Sequence, residues 1–175
     1  MTQPLRSIRI WLGIFIAGLI LSGITAFPLE SELSVVISIL KSHSVGSGLL
    51  PWLQRVHEAL ATTNAHYPFL AYGTDWLAFA HLVLAVVFIG PLRDPVRNKW
   101  VLQFGLIACI AVIPLALIAG PIRGIPLPWR LIDCSFGVFG AIPLLICLDR
   151  VKRLEQFQQI VLTLNPADYE DDPFS

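Results

Sequence analysis

Four stretches of the chain are almost wholly apolar, each closed off by charge, tryptophan or proline: 8–27, 75–92, 100–120 and 131–149. A helix rises about 1.5 Å per residue, so about twenty apolar residues cover the roughly 30 Å of hydrocarbon in a bilayer. Backbone polar groups have no water to bond there, and a helix satisfies them internally. The pattern therefore predicts an all-α integral membrane protein, a bundle of four transmembrane helices.

Between the apolar stretches the period changes. The segment 28–74 is too polar and too interrupted to span. It holds two pieces with apolar residues at helical spacing: Leu33, Val36, Ile37 and Leu40 within 32–41, and Leu53, Val56 and Leu60 within 50–63. Pro51 suits the first turn of the second piece, and the Ser/Gly-rich stretch 42–48 reads as a turn between them. These predict two short amphipathic helices capping the outer face of the bundle. Beyond the fourth span, 150–164 continues with Leu154, Phe157, Ile160 and Val161 on one side, a cytoplasmic extension suited to the interface or to a partner. Residues 1–164 thus form one membrane domain. The remainder, 165–175, is acidic, contains Pro166 and Pro173, and is expected to be a flexible tail.

Composition agrees. Of 175 residues, 55% are apolar and 14% charged, with a mean hydropathy of +0.72; a soluble domain carries about a quarter charged residues. Twelve basic and twelve acidic side chains cancel, so no overall charge invites nucleic acid.

Local charge is uneven, and it orients the chain. Arg6, Arg9, Arg93, Arg97, Lys99, Arg150, Lys152 and Arg153 fall on one side of the spans, against Lys41, Arg55, Arg123 and Arg130 on the other. Positive loops stay in the cytoplasm. A multi-pass protein of the bacterial inner membrane with both termini cytoplasmic is expected.

Punctuation sharpens the span ends. Trp11, Trp76, Trp100 and Trp129 sit where an amphipathic ring prefers the headgroup level. Thr74 or Asp75 is placed to cap the second span, and Gly90–Pro91 and Gly120–Pro121 suit helix exits. Pro114 and Pro143 lie mid-span and should kink their helices. Arg6 and Arg9 before an apolar run, with Ala26 after it, also fit a cleavable signal. The four-residue spacing of Gly13 and Ala17, and of Gly18 and Ser22, instead favours a retained span with a close-packing face.

Candidate chemistry is sparse. Cys109, Cys134 and Cys147 lie in apolar runs without metal-ligand spacing and read as small hydrophobes. His57-Glu58 matches the start of the zinc-protease pattern His-Glu-x-x-His, but the second histidine position is Ala61. His81 is the one histidine within a span, about 9 Å along the helix from Asp75, and an ionisable group at that depth points to function. A haem would want a second axial ligand at matching depth, which the other spans lack, so no cofactor or metal is expected. Arg123, Arg130 and Asp133 fall at the outer face, where Asp133 calls for an arginine partner. The repeat Gly90-Pro91-Leu92-Arg93 and Gly120-Pro121-Ile122-Arg123 reads as the grammar of leaving a membrane rather than as duplication.

Two functional readings follow. The first is a non-enzymatic structural or regulatory component of a membrane assembly, with the lipid bilayer, other membrane subunits or further copies of itself as partners. The second is a membrane enzyme or small-molecule transporter whose outward-facing site is built from Asp75, His81, Arg123, Arg130 and Asp133. A haem or quinone protein ranks behind both.

Overall fold

A computed structural model of the chain describes residues 2–43 and 48–164, and every element among them is helical. In chain order these are α1 (Thr2–Ala26), α2 (Leu29–Ser42), α3 (Leu50–His66), a 3-10 turn (Pro68–Ala71), α4 (Tyr72–Val87), α5 (Ile89–Arg93), α6 (Lys99–Ile122) and α7 (Leu127–Leu164). Four helical runs are long and apolar enough to cross a membrane: Pro4–Ala26, Pro68–Arg93, Lys99–Ile122 and Leu127–Leu164. Each contains most or all of one predicted span. Most of the predicted linker and the whole of the tail 165–175 lie outside the described residues.

The long helices follow one another in the order α4, α1, α7, α6, and short α5 turns the end of that row back against α1 and α6. The principal core sits where the row is folded back. Ile8 and Leu12 of α1, Phe88 between α4 and α5, Val101 and Leu102 of α6, and Leu144, Cys147 and Val151 of α7 are buried together there. The beginning of α1, the end of α5, the beginning of α6 and the region around residue 150 of α7 thus share one end of the molecule. That end carries the eight cations grouped from the sequence and is called the basic end below.

Close approach of the helices depends on glycines other than those expected. A methyl group on Gly23 would stand 2.9 Å from Leu82 Cδ2 and 3.0 Å from the Ala78 carbonyl, which seats α4 on α1. On Gly137 it would meet the Cys109 carbonyl of α6 and lie 2.6 Å from Val112 Cγ1. Gly13 and Gly18, by contrast, have nothing within 4 Å of that position. The stripe Gly13, Ala17, Gly18 and Ser22 is exposed, so the predicted packing face of the first span is not used by the chain's own helices. Packing residues recur on α1 at Ile8, Leu12 and Phe15, and this face points the stripe outward.

The prolines act differently from one another. Proline at position i removes the bond to the carbonyl at i−4. For Pro91 that carbonyl belongs to Val87, and α4 ends there before α5 resumes. α6 runs through Pro114 and Pro121, and α7 through Pro143, without a break. Gly120–Pro121 is therefore not the exit of the third span. The exit is a Schellman motif two residues later: Gly124 has φ +67°, Gly124 N–H donates to the Pro121 carbonyl at 3.0 Å, and Ile125 N–H donates to the Gly120 carbonyl at 2.9 Å. Pro126 then stops the helix.

At the end opposite the basic end, α2 and α3 form an antiparallel hairpin longer at its outer ends than the sequence pattern indicated. Leu33, Ile37 and Leu53 are buried between them, with Trp129 at the start of α7 packed against the cluster. Burial from water stabilises each of these side chains by roughly 2 kcal/mol. Asn64 Nδ2 donates to Glu30 Oε2 at 2.7 Å and ties the outer ends together. Beyond the core, α7 continues unbroken to Leu164, leaving Phe157, Ile160, Val161 and Leu164 exposed.

Candidate functional site

The five ionisable residues singled out in the sequence are all placed, and among the described residues none is joined to another of the five by a hydrogen bond or an ion pair. Asp75 and His81 belong to α4, which packs on α1, whereas Arg130 and Asp133 belong to α7, which packs on α6 and α1. Arg123 follows the end of α6 and is exposed; the other four are half-buried.

His81 is bonded within its own helix. Nδ1 lies 2.8 Å from the Leu77 carbonyl; a carbonyl only accepts, so Nδ1 is the donor of that bond. Thr74 and Asp75 do not cap α4 as expected. Thr74 Oγ1 donates back to the Ala71 carbonyl at 2.6 Å, and a 3-10 turn leads directly into the helix, so the free N–H groups meet no side chain. Asp75 stands in the first turn, where its charge is favoured by the helix dipole.

The arginine partner expected for Asp133 is absent among the described residues. Arg130 lies one turn before Asp133 on α7, close enough to reach it, but its stem is laid against α6, and a methyl group on Gly120 would collide with Arg130 Cδ and Cγ. Its Nε is screened from solvent without a hydrogen-bond partner. What stands near the guanidinium instead is the C-terminal end of α6, whose carbonyl dipoles favour a cation.

Polar contacts that the sequence did not disclose cluster at the basic end. Lys99 Nζ donates to Glu155 Oε2 at 2.6 Å, joining the first turn of α6 to α7 across 56 residues of chain. Arg153 pairs with Asp149 at 3.1 Å, one turn apart. Asp94 Oδ1 accepts from the Arg97 backbone N–H at 3.0 Å, and Asn98 Nδ2 donates to the carbonyls of Gly90 at 3.3 Å and Asp94 at 2.9 Å. Gly90 has room for Asn98 as Gly120 has room for Arg130. Both Gly-Pro sequences thus leave a bare patch for a polar side chain from the next segment. The repeated motif signals that use; the partners, eight and ten residues on, follow no common spacing.

The three thiols are free. Cys147 is fully buried and its Sγ–H donates to the Ile8 carbonyl at 3.7 Å, fixing the register of α7 against α1. Among the described residues no three of His, Cys, Asp and Glu are gathered as a metal-binding group.

No protein-family model, curated protein or solved structure matches this chain. The fold therefore defines its class directly: an all-helical protein with four helices of membrane-spanning length and composition, as in multi-pass membrane proteins.

Proposed function

We propose that this chain is a multi-pass protein of the bacterial cytoplasmic membrane that acts as a non-enzymatic structural or regulatory component of a membrane assembly. The observation that carries the reading is the open face of α1. Gly13 with Ala17, and Gly18 with Ser22, are small-residue pairs against which a second transmembrane helix packs closely, and the chain's own helices leave them free. The core residues among the described part are apolar throughout, and the Nδ1 proton of His81 is spent on its own helix, which suits a packing element.

Replacing Gly13 and Gly18 by Leu tests this. The chain's own packing has space at both positions, so the variant should fold as the parent does. Chemical cross-linking in native membranes should lose the parent's specific products. A parent protein that is monomeric in detergent and yields no reproducible cross-linked partner would overturn the proposal.

The excess of cations at the basic end orients the chain with that end, and both termini, in the cytoplasm. A single cysteine introduced at Ser175 in a cysteine-free background should resist a membrane-impermeant thiol reagent in intact cells and react once the membrane is opened. The unpaired Nε of Arg130 favours one second reading, a membrane enzyme or small-molecule transporter with an outward-facing site around Arg130. Loss of a cellular phenotype in Arg130→Ala, with expression intact, would mark that site as functional.

A further inference from the structure

We infer that the basic end holds the phosphate of an anionic phospholipid, with Arg6, Arg9 and Arg150 as the recognising groups. The inference rests on the membrane reading of the four long helices and not on the assembly reading.

The register of α7 against α1 sets these residues at one level of the molecule. Cys147 meets the Ile8 carbonyl at 3.7 Å and the two helices run in opposite directions, so Arg150, one turn beyond Cys147, stands level with the first turns of α1. There Leu5, Arg6, Arg9 and Ile10 line an open surface hollow. Two apolar side chains beside two guanidiniums suit the junction of acyl chain and headgroup.

Charge accounting shows why an external anion fits. Among the described residues the basic end carries eight cations against three carboxylates, Asp94, Asp149 and Glu155. Each carboxylate is engaged already: Glu155 by Lys99, Asp149 by Arg153 and Asp94 by the backbone of its own turn. Arg6, Arg9 and Arg150 form no ion pair among the described residues. Arg150 is the most constrained of them, because its Nε is screened from solvent and has no hydrogen-bond acceptor. A buried donor left unmade is costly. A phosphate oxygen supplies an acceptor and opposite charge together, and arginine binds phosphate through paired donors.

Native mass spectrometry of the full chain, released from detergent with phosphatidylglycerol or phosphatidylcholine added, tests the proposal. The parent should retain phosphatidylglycerol in preference to phosphatidylcholine. Each charge removed should lower that preference roughly fivefold, so Arg6→Gln with Arg9→Gln should nearly abolish it, while Arg123→Gln at the opposite end leaves it unchanged. Arg150→Lys keeps the charge and loses the paired donors; it should fall between the parent and Arg150→Gln. Arg6 and Arg9 are exposed, so their double variant reads the site even if substitution of Arg150 disturbs the fold. Equal retention of the two lipids by the parent would overturn the inference, as would an unchanged preference in the double variant. Failure of the parent to incorporate into vesicles of either lipid would count against the membrane reading itself.

Discussion

Phe88 lies over Gly105. A methyl group on that glycine would stand 2.6 Å from Phe88 Cζ and 2.9 Å from Leu144 Cδ1, so the absence of a side chain on α6 allows the ring at the end of α4 to reach α7. Phe15 of α1 completes the contact, its ring centroid 4.7 Å from that of Phe88. Three long helices and the α4–α5 junction meet at this one ring.

Gly105→Ala should therefore lower stability by about 1–3 kcal/mol through overpacking, read as a fall in the thermal midpoint of detergent-purified protein. Gly13→Ala is the matched comparison, because nothing stands within 4 Å of its added carbon. It should be neutral or stabilising, since alanine favours a helix interior by roughly 0.5–1 kcal/mol over glycine. A lower midpoint for Gly13→Ala than for Gly105→Ala would contradict this assignment of the packing faces.

Gly124 makes the turn between α6 and α7. Its φ of +67° is one that a side chain disfavours, although space around it is open. Gly124→Ala should cost about 1–2 kcal/mol, with Gly124→Asn recovering part of the loss because asparagine tolerates the left-handed region. Equal thermal midpoints for the three proteins would show that the Schellman motif does not set the α6 exit.

These glycines mark the boundary of what the sequence disclosed. Hydrophobic runs located all four long helices, because about twenty apolar residues in a row have few other uses, and apolar spacing located α2 and α3. Partner choice was less visible. Gly13 and Gly18 carry the small-residue spacing of a packing face yet point away from the other helices, while Gly23, Gly105 and Gly137 seat neighbouring helices without a repeated spacing to announce it. Which side of an apolar helix faces inward is weakly encoded when both sides are apolar. The same limit applies to the five candidate ionisable residues. Their height along each helix could be counted along the chain, but whether Arg130 would turn to Asp133 or lie against α6 depended on where Gly120 stands across the α6–α7 seam.

Lys99 and Glu155 link the first turn of α6 to α7, with side chains 28% and 30% exposed. Partial exposure screens the pair, so a double-mutant cycle with Lys99→Met and Glu155→Gln should give a coupling of about 0.2–1 kcal/mol. Raising the salt concentration should shrink it. The sign of the coupling is the test: zero or unfavourable coupling at low salt would mean that the contact does not hold α7 against α6.

Cys147 reports directly on the seam between α1 and α7. Its side chain is 0% exposed and its thiol is held against the Ile8 carbonyl, whereas Cys109 and Cys134 are only half-buried. In detergent, a protein retaining Cys147 alone, with Cys109 and Cys134 replaced by Ser, should resist N-ethylmaleimide until it is denatured. A protein retaining Cys109 alone should label more quickly under the same native conditions. Leu12→Ala opens space beside Cys147 in the same buried cluster, and should speed the labelling of Cys147 without changing that of Cys109. Rapid native labelling of Cys147 in the parent would mean that α1 and α7 are not packed in this register, and would also remove the geometric basis for placing Arg150 level with Arg6 and Arg9.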